Sequence, residues 1–210
     1  MISPQLLILL IAAFLVFAPV ATLALNVVIA GGTGRLGPRV AAQLSDHRVT
    51  ILARNAFLAS TPNRVTEQFG WVGSYFLEEC PHVSIRDWDG GDMTDIVGCD
   101  FLGWQEDTLT DADVVVNLVG GYTKQREMAT ERIVRESLRV NPRALQVTVS
   151  PKVEDLKALS PGAFSMKVSR LKMCEDMVEK NCLNSKCLRL EAFDVENSVK
   201  TIVDSILSWK

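Results

Sequence analysis

The chain is poor in the side chains that most often do acid, base and metal chemistry near neutral pH: among 210 residues there are two histidines and two tyrosines. No His stands at metal-ligand spacing and no Cys-x-x-Cys pair occurs, so no metal centre is predicted. Five cysteines, Cys80, Cys99, Cys174, Cys182 and Cys187, are an odd number without a disulfide framework. They read as buried free thiols and argue for a reducing compartment. A surplus of positive charge is lacking too, with 22 Lys and Arg against 25 Asp and Glu and a formal net charge of -3. With no basic stripe interleaved with aromatics, nucleic acid is excluded as the expected partner. There is no internal repeat and no low-complexity tract.

Charge of either sign is absent from residues 1–25, and no Lys or Arg precedes Arg35. The apolar run 6–16 has the length of a signal-peptide core, with Thr22, Leu23 and Ala24 as a small-residue cleavage site. The stretch is also long enough to cross a bilayer. No hydrophilic linker parts it from the strand that follows, which favours a removed presequence, whereas the missing basic start favours an anchor or a buried helix. Residues 1–24 are accordingly expected to be a targeting peptide or a membrane anchor, and 25–210 one domain. Phe17, Ala18 and Pro19 resemble the Phe-Ala-Pro element that follows the signal peptide of plastid-targeted proteins in algae with secondary plastids. That likeness implies a plastid or thylakoid location; a mitochondrial or endomembrane one stays open.

What is present begins with an apolar run, 25–29, that leads directly into Gly31, Gly32, Thr33, Gly34, Arg35, Leu36 and Gly37. Glycines three apart permit a tight strand-to-helix turn, a close approach of backbone to a pyrophosphate, and tight packing of helix on strand. An amphipathic helix (about 36–45) and a second apolar strand (48–53) follow, completing a βαβ opening for a nucleotide. After the second strand an NAD site usually carries an acid for the ribose 2′-hydroxyl, but here stand Arg54 and Asn55. An arginine there suits a 2′-phosphate, so NADP is expected over NAD, and Arg35 offers a second cation for the same phosphate.

Further along, strands are predicted at 82–87, 113–119, 145–149 and 186–190, with helices at 124–140, 164–181 and 195–209. Residues 55–81 are less regular and read as a partner-facing insertion or a short core helix, with Trp71, Tyr75 and Phe76 as contact residues. Residues 88–111 read as an acidic loop. Six strands with helical crossovers imply an α/β Rossmann fold, a doubly wound parallel sheet of order 3-2-1-4-5-6. Its ligand crevice would bring Gly31 to Gly37 beside Asn117, Val119 and Gly120.

These residues resemble the short-chain dehydrogenase/reductase superfamily, in its extended or atypical, epimerase-like branches that open with Gly-Gly-Thr-Gly-x-x-Gly. The likeness runs from about residue 25 to 190 and includes Arg54 with Asn55, Trp88 with Asp89, and the strand ending Asn117, Leu118, Val119, Gly120. It implies a dinucleotide held by Gly31, Thr33, Gly34, Arg35, Leu36, Gly37, Arg54, Asn117, Val119, Gly120 and Lys172. It also implies a catalytic Ser, which Ser150 matches, and a Tyr-x-x-x-Lys pair, of which Lys172 matches the lysine while Val168 stands in place of the tyrosine. Neither Tyr75 nor Tyr122 has a lysine four places on. A valine gives no proton to a carbonyl oxygen, so Ser150 and Lys172 are expected to be catalytic remnants. Lys172, Lys167 or Lys152 is the alternative acid of an unconventional oxidoreductase. The reading that results is a non-catalytic NADP(H)-binding protein, an accessory or assembly subunit of an organellar membrane complex, with an unconventional reductase or an NADP(H)-responsive redox sensor as alternatives.

Overall fold

The computed structural model describes residues 24–61, 72–91, 102–120, 124–159 and 164–209. Expectations for the leader up to residue 23, for Trp71, for Cys99 and for Tyr122 fall outside the described residues.

Short apolar strands alternating with amphipathic helices bury both strand faces only as a parallel sheet covered on both sides. The strands β1 (Asn26–Ala30), β2 (Arg48–Ala53), β3 (Val83–Asp87), β4 (Val114–Asn117), β5 (Leu145–Pro151) and β6 (Ser185–Leu190) form that sheet, all parallel, in the order β3-β2-β1-β4-β5-β6. The described helices are α1 (Gly37–Ala42), α2 (Ala56–Ser60), α3 (Ser74–Glu79), α4 (Trp104–Leu109), α5 (Lys124–Val140), α6 (Val153–Leu159), α7 (Phe164–Asn181) and α8 (Val195–Leu207).

Side chains alternate across the sheet and make two cores. Val27, Ile29, Ile51, Val116 and Val147 cluster with Val40 and Leu44 beside α1 and with Ile202 and Ile206 of α8. Val28, Ala30, Leu52 and Val115 cluster on the other face with Trp88, Trp104, Ala129 and Ile133. Each such fully buried aliphatic side chain stabilises the fold by about 1.5–3 kcal/mol, which is why the central strands β1 and β4 are almost wholly apolar. In α8, Val199, Ile202, Val203 and Ile206 recur at helical spacing on the buried side, and Asp194 caps the helix by accepting from Asn197 N at 3.0 Å.

Three stretches differ from the sequence expectation. Residues 88–111 are no simple acidic loop: Trp88 and Trp104 are buried edge to face, with ring centres 5.5 Å apart, and Trp104 opens α4. The acidity of the stretch misleads because Asp89 is 0 % exposed, its charge met by Arg132 at 2.9 Å and by Trp104 Nε1 at 3.0 Å. Second, 55–81 contains α2 and α3. Tyr75 is 69 % exposed, as a contact residue would be, but Phe76 packs partly against the core. Third, β5 runs on to Pro151 because Ser150 and Pro151 pair with Arg189 and Leu190 of β6. Of the described cysteines only Cys174 is fully buried; Cys80, Cys182 and Cys187 are partly so, and all four are free thiols.

Candidate dinucleotide site

Ligands of open α/β sheets bind beyond the carboxyl ends of the strands where the strand order reverses, here between β1 and β4. The turn after β1 lies at that point, and its glycines are required to different degrees. Gly31 has φ +72°, and a Cβ on it would stand 2.6 Å from Val119 N and 2.7 Å from Leu118 C. A Cβ on Gly37 would stand 2.0 Å from Gly32 O. The turn thus folds back on itself and against the end of β4. Gly34 differs: a Cβ there would meet only Gly31 O, at 3.4 Å, and the residue is exposed. Thr33 and Leu36, also in the turn, are half-buried. An open glycine between two closed ones leaves backbone free to approach a phosphate, the arrangement a dinucleotide needs.

At the far side of the crevice Asn117 is buried, donates to Thr130 Oγ1 at 3.0 Å and accepts from Val119 N at 3.1 Å. It acts on the site through the 117–119 backbone that Gly31 touches. Gly120 is exposed beyond it. Past β2, the Arg54 stem lies along Gly90, whose Cβ would come within 3.1 Å of Arg54 Cγ and Cδ, and Asn55 caps α2 by accepting from Leu58 N at 2.9 Å. The end of β3 supplies an acid that sequence reasoning passed over: Asp87 Oδ1 accepts from Ala56 N. The structure does not bring the two arginines together, since Arg35 donates instead to Ala192 O at 2.9 Å, in the segment after β6.

At the reductive end of the site the structure adds a residue to those expected from the sequence. Ser150 is 2 % exposed at the end of β5 and its hydroxyl accepts from Arg126 at 2.9 Å. Arg126, also 2 % exposed, donates further to Val149 O at 2.8 Å and to Val119 O at 3.0 Å, while its Nε has no partner. Burial pulls this guanidinium's pKa below its ordinary value. Sequence reasoning missed Arg126, although it falls with Ala129, Thr130 and Ile133 on the buried stripe of α5. An arginine at an apolar-stripe position is the signal that would have found it.

Helix α7 turns Leu171, Cys174, Glu175 and Val178 inward, which places Lys172 on its exposed side, with no hydrogen bond or ion pair to the described residues. Val168 is half-buried. Lys152 pairs with Glu191 at 2.7 Å, and that hydrogen bond raises its pKa, making it a weaker acid at neutral pH. The buried charged group on Ser150 is Arg126, which the Cys174 and Cys187 thiols and the Glu175 carboxylate adjoin. Cys187 is pushed up to about 12, chiefly by burial. An arginine stays charged and gives up no proton at neutral pH, so Arg126 holds and orients and is not itself the acid.

Among the described residues no group of three or more His, Cys, Asp and Glu is placed to hold a metal, and no helix is long and apolar enough to cross a membrane. A separate cavity of about 540 Å³ is lined by Asn26, Arg48, Thr50, Ser84, Asp107 and Asp111. It lies away from the glycine turn.

No protein-family model matches the chain, and no curated protein matches it. Solved structures do. A Thermus thermophilus protein described as a short-chain oxidoreductase aligns at 14 % identity over 86 % of this chain and 95 % of its own, with a TM-score of 0.53. A short-chain dehydrogenase/reductase of Burkholderia vietnamiensis aligns at 11 % identity over 85 % and 90 %, with a TM-score of 0.51. The Bordetella bronchiseptica enzyme WbmG, solved in complex with NAD, aligns at 12 % identity and a TM-score of 0.53 over 82 % of this chain, which spans 55 % of WbmG. At these identities the likeness is one of architecture: this chain has the Rossmann fold found in short-chain dehydrogenase/reductase proteins.

Proposed function

We propose that this protein binds NADP(H) at the carboxyl ends of β1, β2 and β4 without reducing carbonyl substrates, and serves as a nucleotide-binding accessory subunit. The observation that carries the first part is the glycine turn, closed by backbone at Gly31 and Gly37 and open at Gly34. The NAD present in the WbmG structure supports a dinucleotide in this fold. When bound, the dinucleotide supplies a hydride donor or acceptor. The turn holds the diphosphate through backbone, Arg54 meets the 2′-phosphate, and the 117–120 backbone lines the second half of the crevice. With Val168 and an exposed Lys172 in place of Tyr-x-x-x-Lys, the described residues offer no tyrosine at that position to complete a carbonyl reduction. The apolar leader and the exposed Phe57 (75 %) and Tyr75 support a partner-facing role at an organellar membrane complex.

Calorimetric titration tests the cofactor. NADPH is expected to bind at least tenfold more tightly than NADH, and Arg54→Ala to remove that difference, since a hydrogen bond to a charged group contributes about 1.5–3 kcal/mol. Equal affinities for the two cofactors in the wild type would refute the role of Arg54. Carbonyl substrates offered with NADPH are expected to give no turnover above the uncatalysed rate. Turnover abolished by Lys172→Ala would instead establish an unconventional reductase.

A further inference from the structure

Among the described residues the crevice has a buried cation on one side only. A Rossmann sheet holds the two halves of a dinucleotide over its two halves of strands, so the nicotinamide half of a ligand bound at the Gly31 turn extends over β4 and β5. Arg126 sits there. Its guanidinium bridges Val119 O, just past β4, to Val149 O and Ser150 Oγ of β5. Val119 is also the residue whose N and Cα crowd Gly31, so a single residue separates the cation from the phosphate turn.

That charge has little to offset it. Glu175 is a carboxylate that acts on Arg126, and it is gripped by Arg189, with Oε2 at 2.6 Å from Nη2 and Oε1 at 3.2 Å from Nε. The remaining partners are carbonyls, a hydroxyl and the adjoining Cys174 and Cys187 thiols, and Nε is left without a partner. An arginine does not discharge by losing its proton, so the positive potential is permanent.

Resting on the NADP(H) reading above, we propose that Arg126 makes the site select the oxidation state of the dinucleotide, holding NADPH and rejecting NADP⁺. The two forms share their adenosine and phosphate groups and differ in the ring, which is neutral when reduced and cationic when oxidised. A buried guanidinium beneath that half repels only the oxidised ring. Unit charges on the order of 10 Å apart at an effective dielectric of about 20 give a discrimination of roughly tenfold. The protein then reports the NADPH to NADP⁺ ratio by its occupancy, and Arg126 is a specificity-determining residue.

The test is calorimetric titration of the full chain with 2′,5′-ADP, NADPH and NADP⁺, in the wild type, Arg126→Met and Arg126→Lys. The wild type is expected to bind 2′,5′-ADP and to favour NADPH over NADP⁺ about tenfold. Arg126→Met is expected to keep its affinity for 2′,5′-ADP while the preference falls to about twofold or less. Arg126→Lys, which keeps the charge, is expected to keep the preference. Equal wild-type affinities for NADPH and NADP⁺ would overturn the inference, as would a preference undiminished in Arg126→Met. Where Arg126→Met fails to fold and so loses 2′,5′-ADP as well, Arg126→Lys decides, because loss of the preference there with 2′,5′-ADP still bound also overturns it. If the folded wild type binds none of the three ligands, it is the NADP(H) reading itself that fails.

Discussion

Gly37→Ala is expected to destabilise the fold strongly, whereas Gly34→Ala, three residues away, is expected to keep its stability and lose the nucleotide. The added methyl at Gly37 would stand 2.0 Å from Gly32 O, a backbone atom that cannot swing aside as a side chain would. Overpacking a rigid contact typically costs about 1–3 kcal/mol and occasionally more, and this one is at the upper end because the turn and the start of α1 must both shift. With about 3 kcal/mol lost, a domain of this size is expected to melt roughly 6–12 °C lower. At Gly34 the same methyl meets only Gly31 O at 3.4 Å, an ordinary contact that leaves thermal unfolding within about 1 kcal/mol of wild type. It occupies the space a diphosphate would need, so NADPH affinity is expected to fall at least tenfold. Melting curves beside NADPH titrations check both variants. A Gly34→Ala protein that binds normally would remove the turn from the site.

The second large effect is expected at Asp89→Ala. The carboxylate ties the turn after β3 to α4 and α5: it accepts from Gly91 N at 2.8 Å, Trp104 Nε1 at 3.0 Å and Arg132 Nε at 3.0 Å. Arg132 continues the network to Glu136 at 2.6 Å, and Arg139 joins Glu136 at 2.8 Å to Glu106 at 2.7 Å. Removing one partner of a buried ion pair costs about 3–5 kcal/mol, because the other charge and its donors are left dry and unmet. Exposed pairs at the rim, such as Arg139 with Glu106, contribute at most about 1 kcal/mol each. Chemical denaturation is therefore expected to show Asp89→Ala far below Glu106→Ala, with Asp89→Asn between them because the amide oxygen still accepts. Comparable losses for Asp89→Ala and Glu106→Ala would contradict this ordering.

How much of this was legible in the chain follows from how each element is stabilised. β2, α5 and α7 could be read residue by residue: the apolar run 48–53 sits between polar turns, and the 124–140 and 164–181 periods are long and bounded. α4 could not, since six residues show hardly more than one turn of periodicity and Trp104 owes its burial to Trp88 and Asp89. Motif spacing put Lys172 four places after Val168, but spacing does not set the rotation of a helix about its axis. That rotation follows from burying Leu171, Cys174 and Val178, and it turns Lys172 outward. Arg126 was visible only as a polar residue on an apolar stripe, and its reach to Val119, Val149 and Ser150 depends on β4 lying beside β5.

Hydrogen exchange of the full chain with and without saturating NADPH tests most directly whether the glycine turn is a nucleotide site. Added protection is expected in the amides of residues 31–37, 54–58 and 117–120, and Gly34→Ala is expected to abolish it at all three. Protection unchanged at 31–37 while NADPH slows exchange elsewhere, or no NADPH-dependent change in a folded protein, would contradict the account.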